Sequence, residues 1–163
     1  MSKRTNAAEL DDPVFLGRAV ERLSALIEEQ SATVFQAHGV TIPVKSCSLV
    51  SVLAVRGAAT AAELARSLDT SHQLVLQKIP KLLKLGLIET RQDEDARKRT
   101  FVLTAEGTRQ YGRFQRGSTA IRSAYSELFA EIGDVFDLAS RATEVLQKRT
   151  LAERAGVTTS RRR

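Results

Sequence analysis

Apolar residues recur along most of the chain at helical spacing, interrupted by short polar punctuation. Phe15, Ala19, Leu23, Leu26, Ile27 and Val34 fall on one helical face. Asp12-Pro13 supplies an N-cap and a first-turn proline for them. The pattern predicts a helix to about Ala37, closed by His38-Gly39, with His38 as a C-terminal cap rather than a metal ligand. Pro43 opens a second helix carrying Val44, Cys47, Val50, Leu53 and Ala54, and Gly57 closes it. Thr60-Ala-Ala-Glu63 reads as a capping box for a short helix over 61–68, and Thr70-Ser-His-Gln73 as a second box. The second box opens a helix with Val75, Ile79, Leu82 and Leu83 on one side, ending at Gly86. Two capped helices joined so tightly have the proportions of a helix-turn-helix.

Strand patterns follow at 87–91 and 100–103, separated by a polar stretch from Gln92 to Arg99. A hairpin placed directly after a helix-turn-helix is a wing. Thr104 then caps a long helix to about Ile132, with Tyr111, Phe114, Ile121, Tyr125, Leu128 and Phe129 as a continuous stripe. After Gly133-Asp134, a last helix with Val135, Leu138, Ala139, Ala142, Val145 and Leu146 extends to about Ala155. The expected class is mainly α with a small β-hairpin. Residues 1–11 read as a flexible start, 12–155 as one subunit and 156–163 as a disordered basic tail. Within the subunit, 44–103 form a lobe between long helices at 12–38 and 104–155.

Every aromatic residue lies at Phe15, Phe35, Phe101 or between Tyr111 and Phe136. The central segment therefore offers no aromatic platform for stacking single-stranded bases. It also assigns the bulky packing to the long helices, which favours a shared interface between two copies.

Charge sharpens this picture. The 163 residues carry 25 Lys plus Arg against 19 Asp plus Glu. Residues 71–100 hold seven of the basic residues and four of the acidic ones, so the helix-turn-helix and wing are locally basic. Arg161, Arg162 and Arg163 add a nonspecific cationic end. No apolar run approaches a membrane span, and residues 1–10 lack a signal-peptide core, so a cytoplasmic setting is expected. The lone Cys47 excludes a disulfide framework within one chain. No ligand-spaced metal cluster, phosphate-cradling loop or Ser/His/Asp set suggests catalysis, and no cofactor is expected.

Four strings in order resemble the multiple antibiotic resistance regulator (MarR) family. Thr60-Ala-Ala-Glu-Leu-Ala-Arg-Ser-Leu68 is similar to its helix before the turn. Leu82-Leu-Lys-Leu-Gly-Leu-Ile-Glu89 is similar to its exit from the recognition helix. Asp93-Glu-Asp-Ala-Arg97 resembles its wing motif, and Leu103-Thr-Ala-Glu-Gly107 the start of its following helix. The resemblance covers about residues 12–150. It implies a homodimeric winged helix-turn-helix regulator of palindromic double-stranded DNA, with repression the expected mode. It also implies dimerisation through the terminal helices and release by a small aromatic ligand.

Local chemistry supports this. The N-terminal part of a recognition helix enters the major groove, and here it carries Ser71, His72, Gln73 and Gln77. Glutamine suits adenine, while Ser and His bond bases or phosphates. Lys78 and Lys81 are candidates for phosphate. In the wing, Arg91, Arg97, Lys98 and Arg99 suit a narrow minor groove. The resemblance assigns Asp95 to bracing the wing while Arg97 or its neighbours face DNA. Pro80 departs from the family pattern, and a kink or loosening is expected after Ile79, since an interior proline costs a helix ~3 kcal/mol. Leu76 is apolar on the side facing the groove, either to touch a thymine methyl or to pack.

Two alternatives stay open. One is a winged-helix module for protein contact, without sequence-specific DNA binding. The other is a redox-responsive regulator using Cys47, which lies near the positive end of the second helix. Redox-sensing family members carry their cysteine near the start of the first helix, so this role does not transfer, and a buried, inert thiol is favoured.

Overall fold

The computed structural model describes residues 12–92 and 99–157. The expectation for 1–11, and that for 156–163 beyond Val157, lie outside them. Contacts divide the chain after Ile121 into two compact units.

In the first unit, Asp12 accepts from the Val14 N–H and starts a 3₁₀ turn, Pro13–Phe15, that leads into helix α1, Leu16–Ala37. His38 closes α1, its Nδ1 2.9 Å from the Val34 carbonyl. A second 3₁₀ turn, Val44–Ser46, precedes α2, Cys47–Arg56. Then come β1, Ala58–Thr60, and α3, Ala61–Ser67. Helix α4, His72–Lys84, leads to β2, Ile88–Gln92, and β3, Arg99–Leu103. The strands form an antiparallel sheet in the order β1-β3-β2, with Ala59 opposite Phe101 and Thr90 also opposite Phe101. Helix α5, Ala105–Ile132, begins where β3 ends.

One core unites these elements. Leu49, Val50 and Leu53 of α2, Leu64 of α3, Val75, Ile79 and Leu82 of α4, Leu87 just before β2, and Ile88 and Phe101 of the sheet are buried together. Phe35 brings the end of α1 against Phe114 of α5, with ring centroids 5.2 Å apart. Among the described residues, Gln110 is the bulkiest polar side chain in this interior. Its carbonyl accepts from the Thr41 N–H at 2.8 Å, and its amide donates to Glu106 at 2.9 Å.

In the second unit, Tyr125 and Phe129 stack at 5.8 Å. Helix α6, Val135–Lys148, is capped by Asp134, and α7, Leu151–Arg154, by Thr150.

Four local expectations need correction. Strand β1 has no counterpart among the expected elements. The second capping box does not form, because Ser71 rather than Thr70 is the N-cap and accepts from Leu74 at 3.2 Å. The last helix is two, because Thr150 and Glu153 make a reciprocal capping box that restarts the chain. Finally, α4 does not loosen after Ile79 but continues through Pro80 to Lys84. The proline forfeits one hydrogen bond, to the Leu76 carbonyl. Leu76 and Pro80 are exposed, where water can replace that bond, while buried Ile79 and Leu82 hold the helix on both sides of it.

Candidate nucleic-acid interface

The turn before α4 sets the site. Thr60 caps α3 in a complete box: its hydroxyl accepts from the Glu63 N–H, and its own N–H donates to the Glu63 carboxylate at 2.7 Å. These contacts, the Thr60 N–H first and its hydroxyl second, hold the Glu63 carboxyl below its ordinary value. Leu68 ends α3, and Asp69 takes a left-handed conformation with φ of 45°. Asp tolerates that region better than most residues. The Thr70 N–H then bonds the Ala65 carbonyl at 3.0 Å, and Ser71 starts α4. Four residues, Leu68 to Ser71, thus reverse the chain between two helices, with Leu64 and Ala65 packed in the same core as Val75 and Ile79.

This packing buries one side of α4 and leaves the other to solvent. Ser71, His72, Gln73, Gln77 and Lys81 are exposed, and Lys78 is half-buried at the flank. The continuous helix keeps Lys81 in register with Gln73 and Gln77, which the expected loosening would have removed.

On the hairpin the predicted residues diverge. Arg91 is exposed, with Nε 3.6 Å from Glu89, a long surface pair that leaves the guanidinium available. Arg99 instead turns back onto the sheet. Its Nε and Nη2 donate to the Thr90 hydroxyl at 3.3 and 3.2 Å, and its guanidinium lies 5.5 Å from the centre of the Phe101 ring. Asp95, Arg97 and Lys98 lie outside the described residues.

A groove of 720 Å³ runs beside α4. Ile79, Pro80, Leu83, Phe101 and Leu76 give it an apolar lining, while Arg66, His72 and Arg99 bring cationic or protonatable groups. Arg66 and this groove leave no signature in the sequence pattern. The capping box signalled that the start of α3 was ordered, but not that it faced α4 and β3.

Cys47 is buried, and its thiol donates to the Pro43 carbonyl at 3.6 Å. Burial pushes the thiol up to about 11, opposite to the lowering that a helix N-terminus favours. The redox alternative thus lacks the accessible thiolate it requires. No group of His, Cys, Asp and Glu able to hold a metal occurs among the described residues, and no described helix is long and apolar enough to cross a membrane.

These elements, helix-turn-helix, three-stranded wing sheet and flanking long helices, define a winged helix-turn-helix protein. Neither a family model nor a curated protein matches the sequence. Solved structures match its fold. The chain is similar to the M. tuberculosis transcriptional regulator MosR in complex with DNA, with 18% identity, a TM-score of 0.63, and 80% of this chain and 92% of that one covered. A MarR family transcription regulator is 23% identical, with a TM-score of 0.59 and coverage of 93% and 97%. The adhesin competence repressor AdcR of Streptococcus pyogenes is 17% identical, with a TM-score of 0.52 and coverage of 83% and 98%. The chain has the fold of the MarR family transcription regulators.

Proposed function

We propose that the protein is a homodimeric transcription regulator that binds palindromic double-stranded DNA, acting as a repressor. The observation that carries this reading is the exposed face of α4, where His72, Gln73, Gln77 and Lys81 stand free above a buried opposite side. Helix α4 enters the major groove, and the hairpin with Arg91, Arg97 and Lys98 lies along the adjacent backbone and minor groove. Arg99 supports the hairpin through Thr90 and Phe101. The family resemblance assigns the bracing of its tip to Asp95. Similarity in fold to a regulator solved with DNA supports the same reading.

Residues 44–103 act as the DNA-binding lobe, and 12–38 with 104–155 as the dimerisation helices. A second copy covers apolar side chains that each unit leaves exposed, such as Val20 on α1 and Phe136 on α6. The groove beside α4 supports release by a small ligand. Its apolar lining and cations suit an aromatic anion, which would compete with DNA for His72 and Leu76.

A salt titration of binding to random duplex tests the core of this reading. Phosphate contacts give log K a slope of about −0.9 per neutralised phosphate against log salt. Absence of binding at low salt overturns the regulator and favours a protein-contact module.

A further inference from the structure

The composition of α4 restricts what it can read. The helix contains no arginine, asparagine, aspartate or glutamate. Arginine is the commonest reader of guanine, and carboxylates are the acceptors suited to the cytosine amino group. The lysines of α4 are Lys78, Lys81 and Lys84, all beyond the N-terminal part that enters a groove. In that part the side-chain amides of Gln73 and Gln77 are exposed and make no hydrogen bond among the described residues.

Four residues apart, the two glutamines share a face and stand about 6 Å apart along the helix. Successive base pairs rise by about 3.4 Å, so the two amides reach different base pairs of one half-site. A glutamine carbonyl accepts from the adenine N6 amino group while its NH₂ donates to N7. Guanine presents acceptors at both O6 and N7, so the carbonyl would face another oxygen. Beside the glutamines, Leu76 is 46% exposed and lines the same groove as Pro80 and Phe101. The thymine methyl is the apolar feature of the major-groove edge that fits it.

We infer that α4 specifies an A·T-rich half-site, with Gln73 and Gln77 each holding an adenine bidentately and Leu76 packed on a thymine methyl. This rests on the DNA-binding reading above. His72 lies to the side with Arg66 and Arg99 and serves the backbone.

The test begins with selection of duplexes from random DNA by the full chain and by Gln73→Ala, Gln77→Ala and Leu76→Ala. The wild type selects adenine at two positions in each half-site. Each glutamine variant loses discrimination at one of them by between about 5-fold and about 150-fold. Replacing the selected adenine by 7-deazaadenine, which lacks the N7 acceptor, weakens the wild type but not the matching variant. Replacing thymine by uracil weakens the wild type about 4-fold and leaves Leu76→Ala unchanged. Circular dichroism melting confirms that these exposed substitutions leave the fold intact. Guanine selected at the positions governed by Gln73 or Gln77, or equal binding to all sequences, overturns the adenine reading while DNA binding stands. A chain that binds no duplex at low salt overturns both.

Discussion

Gly107, in the first turns of α5, lies directly against the backbone carbonyl of Leu87. A Cβ at Gly107 would overlap that oxygen. Thr104 fixes the approach from both sides. Its hydroxyl accepts from the Gly107 N–H at 2.9 Å and donates to the Gly86 carbonyl, while its own N–H bonds Leu87 at 3.1 Å. The end of α4, the start of the hairpin and the start of α5 are thereby joined at one point. The Leu103-Thr-Ala-Glu-Gly107 string has a physical reason here: a cap at its second residue and a missing side chain at its last.

Gly107→Ala therefore destabilises the protein by about 1–3 kcal/mol, since a backbone oxygen cannot rotate away as a side chain can. Gly112, in the same helix, is the control. A Cβ there meets nothing nearer than the flexible end of Arg116, at 3.8 Å. Gly112→Ala stabilises by about 0.4–1 kcal/mol through the unfolded chain. Urea unfolding of both variants checks the opposite signs.

Much of this architecture was legible because helices announce themselves by period and caps. Thr60 and Glu63, or Asp12 and Pro13, are local signals that need no tertiary partner. Strand β1 was illegible for the opposite reason. Ala58-Ala-Thr60 has no alternation of its own and becomes a strand only by pairing with β3, about forty residues on. Glu153 three places after Thr150 is a readable restart signal, but Leu151, Ala152 and Ala155 keep the stretch beyond Leu146 compatible with one continuing helix. In the site, the exposed face of α4 followed from its periodicity. Arg99 did not, since its turn onto Thr90 and Phe101 depends on cross-strand register.

Gln110 ties α5 to the segment after α1 by accepting from the Thr41 N–H. Its side chain is 1% exposed, while Thr41 itself is exposed. Gln110→Leu keeps the volume but removes the acceptor of this bond, which costs about 0.5–1.5 kcal/mol. Hydrogen exchange gives the specific readout: the Thr41 amide loses protection beyond the global loss of stability. Unchanged protection at Thr41 would show that this bond contributes nothing.

Glu63 links stability to acid. Its folded carboxyl is held below the ordinary value of 4.5 by hydrogen bonds from Thr60. A lowered folded value contributes stability that is fully present above 4.5 and is lost as pH falls through the lowered value. Glu63→Gln keeps the capping shape but removes the charge. The variant is less stable than the wild type at neutral pH, and the gap closes as pH falls below the carboxylate range. Urea midpoints for both proteins at pH 7 and pH 3 measure it, and a constant gap would exclude the charge as the cause.

The Cys47 thiol, raised by burial to about 11, is protonated at neutral pH. A thiol reagent at pH 7 should label the native protein far more slowly than the urea-unfolded chain. Stability carried by the raised value is fully present below the ordinary 9.0 and is lost as pH rises towards 11. Cys47→Ala removes that alkaline loss while leaving a small cavity. Rapid native labelling would return the redox alternative to consideration.

Apolar exposure on the long helices supplies the last prediction. Leu16 and Val20 of α1 are 65% and 56% exposed, and Phe136 and Leu138 of α6 are 75% and 60% exposed. A monomer gains nothing by presenting such side chains to water, whereas a second copy of the chain removes them from it. Sedimentation at micromolar concentration should give twice the 17.9 kDa of one chain. Val20→Asp combined with Phe136→Asp places charges on these faces and shifts the protein to monomer. The monomer retains weak binding to a single half-site but loses the tight binding that comes from engaging two half-sites at once. A wild-type monomer would refute the dimer, and equal affinity of wild type and variant for the full palindrome would detach dimerisation from DNA binding.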